Sequence, residues 1–159
     1  MGERVFVDAN VLFSRTLRDK RPDLPGKVVS DLRTLVIANL DELVDDFVVE
    51  PWIKQGDVDD AHVRAAAQAR GFDMLLTADR GLLVEREMAS PALYETISPD
   101  EFFVLLDDSS PDLVRTVVKE EMSYFVKRNG DADLPGRLRA AGCPEFAKRV
   151  NGHCHALMP

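Results

Sequence analysis

The chain has 159 residues, of which 45% are hydrophobic, and it carries a formal net charge of −8. This length predicts one compact domain with room for a helical appendage, and no apolar run reaches the roughly 18–20 residues of a membrane span. The negative charge argues against a simple nucleic-acid binder, and two cysteines are too few for a disulfide framework. Because the sequence shows no signal-peptide pattern, we expect a soluble cytoplasmic protein.

The acidic residues are concentrated in the middle of the chain. Residues 41–108 hold 17 acidic and 5 basic side chains, residues 1–40 hold 5 and 7, and residues 109–159 hold 6 and 8. A divalent cation bound in the middle segment would reverse the local field and let a phosphate approach. Four of the middle acids are interpreted as solvated surface residues: Glu85, Glu87, Asp107 and Asp108.

The first predicted element is a short buried strand that ends in an aspartate. Val5-Phe6-Val7 leads directly to Asp8, and a helix follows from Asn10 to about Arg18. Ligands and metals of open α/β sheets gather outside the carboxyl ends of strands. A carboxylate there is costly unless it is paired or bound to a metal, so Asp8 is the first candidate for a functional residue.

Two further acidic motifs follow a loop near 19–26 and a predicted helix near 27–40. The stretch 57–67 predicts a helix that begins in acid, and the stretch 72–79 predicts a second buried strand that ends in Thr77-Ala78-Asp79. Asp60 and Asp79 each also fit a role as a helix cap alone. If both lie near Asp8, their mutual repulsion favours neutralisation by a hard cation, and oxygen ligands select Mg²⁺ or Mn²⁺.

The motifs VFVDANVLF and DVDDAHVRAAAQARGFDMLLTADRGLL resemble those of the PIN-domain ribonucleases. The similarity covers roughly residues 4–108 and is greatest to toxins of the virulence-associated protein C type and their actinobacterial relatives. It implies that Asp8, Asp60 and Asp79 are the catalytic, metal-binding acids, with Asp59 as an alternative to Asp60. It also implies a set of supporting polar residues: Asn10, Thr77, Asp57 and Asp59.

The resemblance also implies a fold and partners. We expect an α/β protein with a PIN-like three-layer fold, in which helices flank a central parallel sheet over residues 1–108. Residues 109–159 are expected to form a helical C-terminal extension packed on the same domain. The implied substrate is RNA, the implied partner is an antitoxin, the common assembly is a homodimer, and no membrane is involved.

The chain departs from the family between the first and third motifs. Members carry a further acid there, a glutamate on a helix that follows a strand, whereas this chain is shortened near 19–26. No strand followed by a helix with an inward glutamate is found. Glu42 is the nearest substitute by its order in the chain, although its surroundings predict a solvated helix end.

The remainder of the chain is predicted to be helical after a short strand at 94–97. Ser98-Pro99-Asp100-Glu101 predicts a capped helix start, and Ser110-Pro111-Asp112 predicts a second helix that ends near Asn129-Gly130. Two short helices are expected near 134–141 and 144–150, followed by a loose tail after Gly152. Four residues of this part are of types that bind zinc, but their spacing does not favour a zinc site, because adjacent side chains diverge and no Cys-x-x-Cys pair is present: Cys143, His153, Cys154 and His155.

The acidic residues predict metal-dependent hydrolysis of phosphodiester bonds. The resemblance implies in addition that the substrate is RNA and that the chain is the toxin of a toxin–antitoxin pair. Two alternatives stay open from the sequence. One is a catalytically impaired PIN-like module that binds RNA or a protein. The other is an aspartate-based phosphotransfer fold, such as a receiver or a haloacid-dehalogenase-like phosphatase, although Asn10 stands where the phosphatase motif has its second aspartate.

Overall fold

A computed structural model describes residues 4–12, 34, 37–49, 58–88, 94–130 and 132–157. The chain forms two compact units, Met1–Ile97 and Ser98–Pro159, which are described separately below. The division falls before the first helix of the C-terminal part, whereas the sequence prediction placed it after that helix. Most of the helix predicted near 27–40 lies outside the described residues, and residues 37–38 within it are helical.

In the part that the structure describes, the first unit contains three short parallel strands, and three helices have described bounds. Its elements are β1 (Val5–Val7), α1 (Ala9–Leu12), α2 (Val58–Ala69), β2 (Met74–Leu76), α3 (Arg80–Met88) and β3 (Glu95–Ile97). The strand order is β1-β2-β3, and Phe6 pairs with Leu75, which pairs with Thr96. The α/β class is therefore confirmed, with a parallel sheet and flanking helices.

The central strand of the sheet is apolar and buried throughout. Met74, Leu75 and Leu76 are all buried, and Leu75 is 0% exposed. Helix α2 contributes a row of buried alanines, among them Ala65 and Ala67, whose small side chains allow close packing. All three strands run in the same direction, so their carboxyl ends lie at one edge of the sheet.

The described residues of the second unit form helices joined by short connections, without a strand. Its helices are α4 (Pro99–Ser109), α5 (Pro111–Asn129), α6 (Leu134–Ala140) and α7 (Pro144–Leu157). The capping box predicted at Ser98 is present, with Glu101 N donating to Ser98 Oγ and Ser98 N donating to the Glu101 carboxylate. The predicted end of α5 is also confirmed, since Gly130 adopts φ 72°, a conformation that disfavours other residues.

The prediction of a loose tail after Gly152 is wrong, because α7 continues to Leu157. Phe146, Val150 and Cys154 recur at helical spacing, are buried, and join the core of the second unit. Packing of this apolar face against the core stabilises the last two turns of α7 against fraying. The start of α7 is capped from a distance by Asp100, which accepts hydrogen bonds from Glu145 N and Phe146 N at 3.1 and 2.8 Å.

The interpretation of Asp107 as a solvated surface residue is also wrong. Its carboxylate is 7% exposed, accepts from Arg149 at 3.4 Å, and lies 2.7 Å from His153 Nε2. Asp107 belongs to α4 and both partners belong to α7, so the cluster links these two helices. Asp108 remains exposed, although it also pairs with Arg149. Burial of Asp107 is tolerated because both of its oxygens have partners.

No helix among the described residues is both long and apolar enough to cross a lipid bilayer.

Candidate functional site

Asp8 is the buried carboxylate at the carboxyl end of β1. Asp8 is only 8% exposed. Its backbone N–H continues the pairing of β1 with β2 by donating to Leu76 O at 2.9 Å. Oδ1 accepts from the backbone N–H of Asn10 at 3.1 Å, and Oδ2 accepts from Thr77 Oγ1 at 2.8 Å. Among the described residues, each carboxylate oxygen therefore has one donor, which leaves lone pairs for another ligand.

The hydroxyl of Thr77 is the centre of the hydrogen-bond network around Asp8. Thr77 is 0% exposed and follows β2, the strand next to β1. Its hydroxyl donates to Asp8 and accepts from Asn10 Nδ2 and from the backbone N–H of Asp79, both at 3.1 Å. One donated and two accepted bonds use the full capacity of a hydroxyl group, so this network fixes the orientation of the Asp8 carboxylate.

The amide of Asn10 ties α1 to the end of β2. Its nitrogen donates to Thr77, and its oxygen accepts from the backbone N–H of Ala78 at 3.0 Å. Both ends of the amide group are thus bonded to the segment that follows β2. Asn10 consequently supports Asp8 in two ways, through its own backbone N–H and through Thr77.

Asp79 lies at the same edge of the sheet and caps the helix that follows. Its Oδ1 accepts from Gly81 N at 2.7 Å and from Leu82 N at 3.4 Å, at the start of α3. The capping role considered from the sequence is therefore present. Among the residues that the structure describes, no donor bonds to Oδ2, so this oxygen can serve a ligand without disturbing the cap.

The structure brings together four of the predicted site residues: Asp8, Asn10, Thr77 and Asp79. The other three are Asp57, Asp59 and Asp60. Asp59 and Asp60 lie within α2, but their side chains are outside the described residues, and Asp57 is outside them altogether. Among the described side chains, no group of three or more histidine, cysteine, aspartate or glutamate residues could hold a metal ion.

The donor set around Asp8 can be compared with what a divalent cation requires. The available ligands are carboxylate oxygens, which suit Mg²⁺ or Mn²⁺ and not a soft metal. Mg²⁺ is commonly bound through one or two protein carboxylates and keeps several waters. Asp8 and Asp79 therefore fit the group chemically, and a third acid from α2 would complete the predicted set.

Glu42, the nearest substitute for the family's further acid, is paired with two arginines. Its carboxylate lies 3.4 Å from Arg4 Nη2 and 3.4 Å from Arg70 Nη1. Arg70 also donates to Asp46, and this hydrogen bond lowers the pKa of the Asp46 carboxyl group. The acidic run 41–46 thus has cationic partners from this chain, and Glu42 is not in the network around Asp8.

The cluster of Asp107, Arg149 and His153 was missed by the sequence analysis. His153 and Asp107 are 46 positions apart, and no local pattern marks either residue. The only available signal was an acid near the end of one predicted helix and a histidine near the end of another. Cys143 and Cys154 lie in the hydrophobic core, where burial raises the pKa of both thiols.

Comparisons with models of known protein families, with curated proteins and with solved structures give no match for this chain. The resemblance to the PIN-domain ribonucleases therefore stays a prediction that rests on the quoted motifs.

Proposed function

We propose that this chain is a metal-dependent endoribonuclease with a PIN-like fold, which hydrolyses RNA phosphodiester bonds. The observation that carries the proposal is the carboxylate of Asp8, buried at the carboxyl end of a parallel strand and oriented by Thr77 and Asn10. Asp79 lies shortly after β2, and among the described residues no donor bonds to its Oδ2. This arrangement suits the binding of a cation at the edge of the sheet.

In the proposed mechanism, Asp8, Asp60 and Asp79 would hold Mg²⁺ or Mn²⁺. When bound, the ion lowers the pKa of a coordinated water and stabilises charge on the phosphate. Thr77 and Asn10 keep the Asp8 carboxylate in one orientation by donating to it, as outer hydrogen-bond partners do in metal sites. Asp79 contributes one oxygen to the site while its other oxygen holds the start of α3.

The biological setting is proposed from the resemblance alone. The chain would be the toxin of a toxin–antitoxin pair, would act in the cytoplasm on RNA, would be held by a cognate antitoxin, and would assemble as a homodimer. The helical second unit has no place in this proposal beyond that of an extension to the nuclease unit.

A second candidate is a catalytically impaired PIN-like module that binds RNA or a protein partner. The observation that favours it is the pairing of Glu42 with Arg4 and Arg70. This pairing removes the nearest candidate for the family's further acid from the site. A site with fewer acids would bind the cation less tightly and turn over more slowly, while the rest of the surface could still bind a partner.

The experiment that tests the proposal is RNA cleavage by the full chain, with Mg²⁺, with Mn²⁺ and with a chelator. We expect cleavage that requires the metal and is lost in Asp8→Asn and in Asp60→Asn. Asp112→Asn is the matched control, because Asp112 is an exposed aspartate of the second unit, and it should cleave like the unmodified chain. Full activity in the Asp8 variant would refute the mechanism.

Binding measurements on the same samples separate the two candidates. Metal-independent RNA binding without cleavage above that of Asp8→Asn would select the impaired module. Stable phosphorylation of Asp8 by a small phosphodonor would instead select the phosphotransfer alternative.

A further inference from the structure

The second unit contains an apolar cavity of about 460 Å³ between its four helices. Five of its lining residues belong to the buried core of the unit, and they come from three different helices: Val114, Val118, Leu134, Phe146 and Val150. The cavity therefore extends from the surface down to the core. Its volume lies within the range of sites that bind small organic molecules, and sites between helices of bundles are common.

The rim of this cavity exposes apolar side chains to water. Leu113 and Val117, one turn apart on α5, are 56% and 48% exposed and line the cavity together with buried Val114 and Val118. Covering these side chains removes apolar surface from water, which favours an apolar occupant. An apolar occupant would cover both the floor and the rim.

Arg137 supplies the cationic group of the lining. Its guanidinium lies 4.5 Å from the centre of the Phe125 ring, and both residues line the cavity. No carboxylate forms an ion pair with Arg137 among the residues that the structure describes. The guanidinium lies over the ring, and the fork of N–H donors of an arginine matches a carboxylate in geometry.

We propose that this cavity binds an amphiphile with one apolar chain and a terminal carboxylate, in the manner of a medium-chain fatty acid. The chain would occupy the apolar space down to Val118 and Val150, and the carboxylate would pair with Arg137. Glu121, the acidic residue of the lining, repels a carboxylate and therefore directs the headgroup towards Arg137.

The burial of the cavity floor favours a slender chain over a helix from another protein. A helix with its side chains is about 10–12 Å across, so it rests on the ridges of neighbouring helices. The floor here consists of residues that are at most 9% exposed, Phe146 and Val150 among them, and a single hydrocarbon chain reaches such residues more readily. This proposal does not depend on nuclease activity.

The test is calorimetric titration of the full-length, delipidated chain with decanoate, and with decyltrimethylammonium as the probe of opposite charge. We expect saturable binding of decanoate in preference to the cation. Arg137→Gln should weaken decanoate binding about tenfold or more, because it removes a charge-assisted pair. Glu121→Gln should strengthen it, because it removes a repulsive charge.

Arg115→Gln is the matched control, since Arg115 is an exposed arginine of α5 that pairs with Asp112 outside the cavity. It should bind decanoate like the unmodified chain. Leu113→Asp, at the exposed rim, should weaken binding without threatening the core, and circular dichroism would verify that each variant is folded.

Three results would overturn the proposal. The first is no saturable binding of decanoate at millimolar concentration by folded protein. The second is equal affinity for the two probes, or an unchanged affinity in Arg137→Gln. The third is a dimer that is disrupted by Leu113→Asp and that excludes decanoate, because the occupant would then be a second copy of the chain.

Discussion

Replacement of Thr77 by valine tests whether the hydroxyl network, and not simply burial, holds Asp8 in place. Valine has nearly the same shape as threonine, so the change removes one hydroxyl without opening a cavity. The lost contacts are the 2.8 Å bond donated to Asp8 and the two 3.1 Å bonds accepted from Asn10 and Asp79. Because Thr77 is 0% exposed, water cannot easily replace these contacts.

Most of the expected loss of stability in Thr77→Val comes from the Asp8 carboxylate, which loses a hydrogen-bond donor. A buried carboxylate that loses a donor costs about 2–3 kcal/mol, and the two stranded N–H donors add to this in part. For a unit of this size, each kcal/mol corresponds to a fall of about 4–8 °C in Tm. We therefore expect Thr77→Val to lower Tm by about 10 °C or more, measured by circular dichroism and checked by urea denaturation.

Thr77→Ser is the matched control, because it keeps the hydroxyl and loses only a methyl group. Its expected cost is about 1 kcal/mol, from lost burial and a small cavity. If Thr77→Val were as stable as the unmodified chain, or more stable than Thr77→Ser, the hydroxyl would not be the element that orients Asp8.

Two further predictions concern the second unit. Asp107→Asn should lower the free energy of unfolding by about 1–3 kcal/mol, because a buried carboxylate paired with Arg149 and His153 is replaced by an amide. Asp112→Asn should leave this free energy nearly unchanged in the same urea titration, because the side chain of Asp112 is 92% exposed. Burial raises the pKa of the Cys143 and Cys154 thiols, so little thiolate forms near pH 8, and iodoacetamide should label both slowly in native protein and quickly in urea. Because both thiol pKa values are raised in the folded state, the thiols contribute stability that is fully present below their ordinary pKa and is lost as the pH rises through the pKa values of the folded protein. Fast labelling of native protein by iodoacetamide would contradict the burial of the thiols.

The features that could be predicted from the sequence are local ones. The Ser98–Glu101 capping box and the end of α5 at Gly130 depend on residues within one turn of each other. Such signals act through neighbouring backbone groups and need no tertiary context. The strands that end in Asp8 and Thr77 were also predictable, because an apolar run followed by a polar residue reflects burial and the sheet edge directly.

The features that could not be predicted depend on contacts between distant residues. The burial of Asp107 is set by His153, 46 positions away, and the helicity of the chain's last turns is set by packing of Val150 and Cys154 into the core. Helix propensity alone does not report such tertiary gains. In the candidate site, the hydroxyl of Thr77 forms hydrogen bonds with residues that follow β1 as well as with Asp79. These bonds depend on the pairing of β1 with β2, so the local sequence does not predict them.

The parallel pairing of β1 with β2 has a consequence for synthesis of the chain on the ribosome. Arg4 donates to Asp73, which is 69 positions further along, so β1 cannot pair until that later segment has been made. At roughly 5–20 residues per second, this interval is on the order of 3–14 seconds. Long-range strand pairing is intrinsically slow to form, and Val5-Phe6-Val7 stays unpaired and apolar throughout that time, open to association with other nascent chains.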